Sequence, residues 1–313
     1  LVDAAGRPIT TAAAWAEERA RLRQRWLEFM GQIPEASAPV HLEVLEEDYA
    51  AGCVRRLVRY QSEPGLPVEG YLIYPQRVIG RVPGVVVLHS TVDHTIRQPA
   101  GLEGPESKWF GLKLAQRGYV TFSPRCYLWQ YASRTAGRTD YIGAVRWLER
   151  RHPGVRGMAK MLHDARRAID VLQSLPFVER ERIGCIGHSL GGKEALYLAA
   201  FDERVKAAVS SEGGIGLHFS NWEAPWYLGS AIRVEGFPLE NHQVLALVPP
   251  RAFLLLGGDS ADGARSWPFI QAVMPIYDLL GVPRRVGLFN HRQGHSVPPE
   301  AEERAYAWLQ HYL

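Results

Sequence analysis

The sequence predicts an α/β fold: a mainly parallel central sheet with helices on both faces. Two features of the chain predict it. Short all-apolar runs such as Val85-Val86-Val87-Leu88 mark strands buried on both faces. Between most of these runs lie stretches with helical periodicity, and strand–helix alternation over this length builds a parallel sheet. At 313 residues the chain can bury a large core, and a composition of 46% hydrophobic and 22% charged residues is that of a globular protein.

The elements follow in order. Trp15, Leu22, Trp26, Leu27 and Met30 recur at helical spacing within residues 11–30, which predicts an amphipathic helix that ends before Pro34 and Pro39. Alternating stretches at 41–47, 52–61 and 68–74, with the turn Glu63-Pro64-Gly65 among them, read as antiparallel strands at a sheet edge. Buried strands are expected at Val85–Leu88, Tyr119–Phe122, Arg182–Ile186, Val205–Val209, Ala252–Leu256 and Arg285–Leu288. Helices are expected at 106–117, 158–174, 190–201, 266–280 and 298–312. Two insertions interrupt the rhythm: 123–157, rich in Trp, Tyr and Arg, and 211–250, which holds Trp222, Trp226, Tyr227 and His242. Both leave strand carboxyl ends, where ligands sit in such sheets, so both are placed to roof a cleft. No repeat or low-complexity tract is present. The expectation is one domain over 1–313, with residues 1–80 packed on its body.

Charge and cysteine content narrow the function classes. With 36 basic and 33 acidic residues, the net charge of +3 is too even to argue for nucleic acid or a membrane surface. No run approaches the roughly 20 apolar residues of a membrane span. No signal-peptide pattern is visible at Leu1, and a start without Met leaves export open. Three cysteines, Cys53, Cys126 and Cys185, do not make a disulfide framework, although a single Cys53–Cys126 bridge is compatible with the count. Cys185 reads as a buried structural thiol. There is no phosphate loop and no dinucleotide fingerprint, so no cofactor is expected. His89 with His94, and His291 with His295, lie on no evident helix that would aim both rings one way, so no metal is expected.

The strongest chemical signal is Gly187-His188-Ser189-Leu190-Gly191, between an apolar strand and a helix. A serine nucleophile on a tight strand-to-helix turn needs glycines on either side to clear space, and the turn leaves its hydroxyl exposed. The start of the following helix carries free N–H groups, so the Leu190 N–H is expected to donate to a developing oxyanion. A second donor is expected from His89-Ser90-Thr91, near Thr91, with His89 anchoring the loop.

A serine hydroxyl needs a base. In α/β-hydrolases, whose strand–turn–helix elbow this segment resembles, the order along the chain is serine, acid, histidine. His295, in Gln293-Gly294-His295, lies after the last strand and is the expected base, with His291 as its competitor. The base in turn needs a carboxylate to fix its tautomer. Asp262 is favoured, in the loop after the 252–256 strand, then Glu212 in Ser211-Glu212-Gly213-Gly214, then Asp259.

Segment 181–214 resembles the dienelactone hydrolase and acetyl xylan esterase-like branch of the α/β-hydrolases, and also the glucuronoyl esterases. Gly187-His188-Ser189-Leu190-Gly191-Gly192-Lys193 is similar to the glucuronoyl esterase elbow, and Glu212 stands where that family carries its acid. Glu240 to Arg251 resembles that family's approach to the next strand. Those esterases carry an arginine directly after the serine, where this chain has Leu190. The resemblance implies a serine carboxylic ester hydrolase that works through an acyl-enzyme on a carbohydrate-linked or small ester. The alternatives are a peptidase of the prolyl-oligopeptidase type and an inactive hydrolase fold used for binding. Trp222 and Trp226, with Tyr227, Trp129 and Tyr131, are candidates for a substrate wall. Arg125, Arg134, Arg138 and Lys193 are candidates to meet a carboxylate.

Overall fold

The computed structural model describes residues 1–3, 5–34, 39–135 and 138–313, without the side chains of 134, 135 and 138. Its nine-stranded sheet comprises β1 (Glu43–Ala50), β2 (Cys53–Glu63), β3 (Leu66–Pro75), β4 (Val82–Leu88), β5 (Val120–Pro124), β8 (Val178–His188), β9 (Val205–Ser211), β10 (Ala252–Gly257) and β11 (Val286–Asn290). The remaining two strands, β6 (Ser133–Thr135) and β7 (Arg138–Asp140), form a separate hairpin. The order across the large sheet is β1-β2-β3-β5-β4-β8-β9-β10-β11. The first three strands are antiparallel to their neighbours, and every pairing from β5 through β11 is parallel. The helices are α1 (Ala12–Met30), α2 (Phe110–Gln116), α3 (Tyr127–Gln130), α4 (Tyr141–Arg151), α5 (Gly157–Ser174), α6 (Leu190–Phe201), α7 (Asn241–Leu245), α8 (Trp267–Leu279) and α9 (Pro299–Tyr312).

Successive side chains on a strand face opposite ways, and that alternation divides the core. Val86, Phe122, Cys185, Ala208 and Phe253 join one apolar cluster with residues of α1, α5, α6 and α8. Val85, Val87, Ile186, Ala207, Val209 and Leu254 face the other way, into a cluster closed by α2 and α9. Fully buried strands need apolar residues on both faces, which is why these runs read as unbroken. The N-terminal helix starts on a Thr11 cap that accepts the Ala14 N–H at 3.2 Å. Its buried Trp26 meets Tyr197 of α6 edge-on at 5.9 Å. The 123–157 insertion is not a plain loop: it carries α3, the β6–β7 hairpin and α4. All three cysteines are buried and free, so the Cys53–Cys126 bridge does not form.

Candidate active site

The elbow comes first. β8 ends at His188, and Ser189 follows with φ 61° and ψ −115°, a conformation costly for any residue with a side chain. Its N–H is tied to the Ser211 carbonyl at 2.8 Å, at the end of β9. A Cβ on Gly187 would overlap the backbone of Gly191, and one on Gly191 would overlap the Leu88 carbonyl at the end of β4. Both glycines are therefore required by backbone approach. Leu190 opens α6, where an N–H has no acceptor within the helix.

Beside the elbow, the loop after β4 is fastened by His89. Its Nδ1 meets the Ser90 carbonyl at 2.7 Å and its Nε2 accepts the Cys126 N–H at 3.1 Å. Burial pushes its pKa down to about 4, so the ring stays neutral. Thr91 is exposed.

His295 lies in the loop between β11 and α9. Its Nδ1 is 3.1 Å from Oε2 of Glu212, and its ring centroid is 4.6 Å from that of His188, the residue before Ser189. The carboxylate that meets His295 is thus Glu212, and not the favoured Asp262. Glu212 stands one residue beyond β9 at φ 50°, with no side-chain exposure. Its oxygens accept N–H bonds from Gly258 and, at 2.6 Å, from Ala261, both in the loop after β10. Burial works against its charge, but the bonds from His295, Ala261 and Gly258 prevail and hold its pKa below the usual range.

Asp262 turns inward instead. It accepts the Gly214 N–H at 2.7 Å, the Ile215 N–H at 2.8 Å and the Ser266 hydroxyl at 2.8 Å, and burial raises its pKa. Its work is to brace the turn that follows Glu212. Asp259, on the surface, binds the Ala264 N–H and the Asn290 amide. His291 Nδ1 accepts the Gln293 N–H at 3.1 Å, within its own loop. The signal for Glu212 was its place directly off a strand end, ahead of two glycines that let the chain turn back beneath it.

The expected aromatic wall divides. Trp222 has no exposed surface: its Nε1 donates to the Gly214 carbonyl at 2.6 Å and its ring covers the Lys193 ammonium at 5.0 Å. It is a packing residue here, contrary to the substrate-binding expectation. Lys193 is also buried, bonded to the Gly213 carbonyl and Ser220 hydroxyl, with its pKa pushed down to about 8 by desolvation. Trp226 is partly exposed and continues a row of rings: Tyr141 at 5.4 Å, then Trp129 5.2 Å beyond, then His89 at 5.0 Å. Tyr131 stacks flat on Trp147 at 3.5 Å, and Arg125 pairs with Glu69 at 3.1 Å. The side chains of Arg134 and Arg138 lie outside the described residues. Among the described residues no three His, Cys, Asp or Glu converge as a metal site, and no helix is long and apolar enough to cross a membrane.

Comparison with known proteins gives a family and a fold. The model of the Dienelactone hydrolase family matches residues 68–224. A Bacillus subtilis protein named only as a hydrolase, YtaP, is 28% identical over 207 residues, 61% of this chain and 63% of its own length. The match thus leaves more than a third of that relative unspanned. The structure of a glucuronoyl esterase from Solibacter usitatus superposes with a TM-score of 0.78 at 20% identity, covering 99% of this chain and 96% of the other. A CE15 glucuronoyl esterase from Teredinibacter turnerae gives 0.73 at 21% identity, covering 99% and 88%. At such identities the likeness is one of fold, the α/β-hydrolase fold.

Proposed function

The chain belongs to the dienelactone hydrolase family, and from that premise we propose that it hydrolyses carboxylic esters through an acyl-enzyme on Ser189. His295 takes the serine proton as the hydroxyl attacks the acyl carbon, and Glu212 fixes the tautomer and steadies the imidazolium. The Leu190 N–H, with a donor near Thr91, receives the oxyanion. The C–O bond to the leaving group breaks as His295 returns the proton to the departing alkoxide. Water then attacks the acyl-enzyme, with His295 again as base, and frees the acid. The observation that carries this reading is the Glu212–His295 pair, set against the residue that precedes a serine in an elbow conformation.

For substrate we propose a carbohydrate-linked or small ester. The half-exposed row of Trp226, Tyr141 and Trp129 near the elbow supports it, since aromatic faces suit sugar rings and aryl groups alike. Structural relatives named as glucuronoyl esterases support it as well. Leu190, in place of their arginine, argues against carrying over their uronate specificity unchanged. A panel of acetylated sugars, methyl glucuronates and short aryl esters tests the proposal. Ester turnover and covalent labelling by a fluorophosphonate are expected in the wild type. Both should fall in Ser189→Ala, turnover by about 10³-fold or more. Labelling that survives in Ser189→Ala, or a panel with no turnover, would remove Ser189 from this role.

A further inference from the structure

We infer that His188, the residue before the nucleophile, is a positioning residue that keeps the imidazole of His295 in line; this rests on the roles given above to Ser189 and His295. His188 is the last residue of β8, in register with Ser211 of β9. It is 1% exposed, and its Nδ1 lies 3.0 Å from the Ser211 hydroxyl. The carbonyl of that same Ser211 accepts the Ser189 N–H, and the next residue is Glu212. His188 is therefore clamped to the strand end that also carries the acid.

His295 is not clamped in this way. It sits in a loop with 43% of its side chain exposed, and among the described residues its ring makes one hydrogen bond, to Glu212. A single bond at Nδ1 fixes a point and leaves the ring plane free to swing, and with it the Nε2 that takes the serine proton in the reading above. The ring of His188, tilted 52° to it at 4.6 Å between centroids, is the second contact. A residue on a strand end cannot follow such a swing, so it limits it. Burial holds the His188 pKa well below its ordinary value, and Lys108, His295 and His291, the charged or titratable groups that face it, push the same way. The neighbour of His295 is thus neutral when the base becomes an imidazolium, and a neutral aromatic ring accommodates that cation. His188 Nε2 is buried and has no hydrogen-bond partner among the described residues, so hydrogen bonding alone does not account for an imidazole here.

Steady-state kinetics on a short aryl ester, together with the rate of fluorophosphonate labelling, test the role in His188→Ala, His188→Phe and Ser211→Ala. Swinging the base out of line is expected to cost His188→Ala about 30–100-fold in kcat, with KM within about twofold and labelling slowed in parallel. His188→Phe, which keeps a ring, should return to within about fivefold of wild type, and Ser211→Ala should fall between the two. A purely structural role would instead lower the melting temperature and leave kcat in the folded enzyme unchanged, and that result overturns the inference. A folded His188→Phe no better than His188→Ala overturns it as well. Should His188→Ala not fold, Ser211→Ala decides, with unchanged kcat as the overturning result. Wild-type protein that neither turns over ester nor labels would instead remove the reading of Ser189, and this inference with it.

Discussion

Glu212 and Asp262 are both buried carboxylates on neighbouring loops, and their hydrogen-bond partners separate them. Glu212 bonds to His295; among the described residues the Asp262 side chain bonds to backbone N–H groups and a serine. Glu212→Gln is expected to lower kcat/KM by about 10²–10⁴-fold, because the base loses its orienting charge. Asp262→Asn replaces an acceptor of buried N–H groups with a donor, and is expected to cost about 1–3 kcal/mol of stability. Paired kinetics and thermal melts distinguish the two: an active, folded Glu212→Gln would move the acid elsewhere. The bend at Ser189 and the loop that carries His295 were legible in the sequence, through a turn motif and a place after the last strand. The carboxylate that meets His295 was not, because its reach depends on which loop turns inward. Asp262 occupies the usual position along the chain, but its neighbours draw it beneath the adjacent turn.

Between residues and the whole lies the strand–turn–helix unit of β8, Ser189 and α6, pressed against the end of β4. Its closeness is enforced at Gly191, whose missing Cβ lets the helix start lie on the Leu88 carbonyl. Gly191→Ala meets backbone atoms that cannot give way as a side chain would. A loss of about 1–3 kcal/mol or more is expected, read as a lower urea midpoint. Activity should fall with it, since the displaced partner leads directly into the loop of Thr91. An alanine variant with wild-type stability and turnover would show that this approach is not under constraint.

At the scale of the molecule, stability should depend on pH through a group outside the proposed chemistry. Glu194 of α6 is 4% exposed, and burial raises its pKa to about 8, against an opposing bond to Cys126. A carboxyl raised in the fold stabilises fully below its unfolded value of 4.5, and that contribution is lost as pH climbs toward about 8. The slope approaches about 1.4 kcal/mol per pH unit across this window. Glu194→Gln should flatten it, giving a variant that gains on the wild type between about pH 5 and about pH 8 in denaturant titrations. Parallel titrations of the two proteins would contradict the assignment. The architecture itself was readable because buried parallel strands announce themselves as apolar runs, as at Val85–Leu88. The interiors of 123–157 and 211–250 were not, since short elements such as α3 and the β6–β7 hairpin are set by packing against the body. Trp222 shows the same limit: composition cannot tell a ring that lines a cleft from one that covers a buried lysine.

The loop after β10 holds Glu212 by main-chain N–H groups alone, at positions 258 and 261. An amide hydrogen is the same whatever side chain it carries. Identity at 260 and 261 is thereby uncoupled from the proposed chemistry, and only the path of the chain must be kept, which the Asp259 side chain helps to hold through Ala264 and Asn290. This stretch is where the rim of the site can be rewritten, by drift or by an engineer, with least risk to the proton relay beneath it.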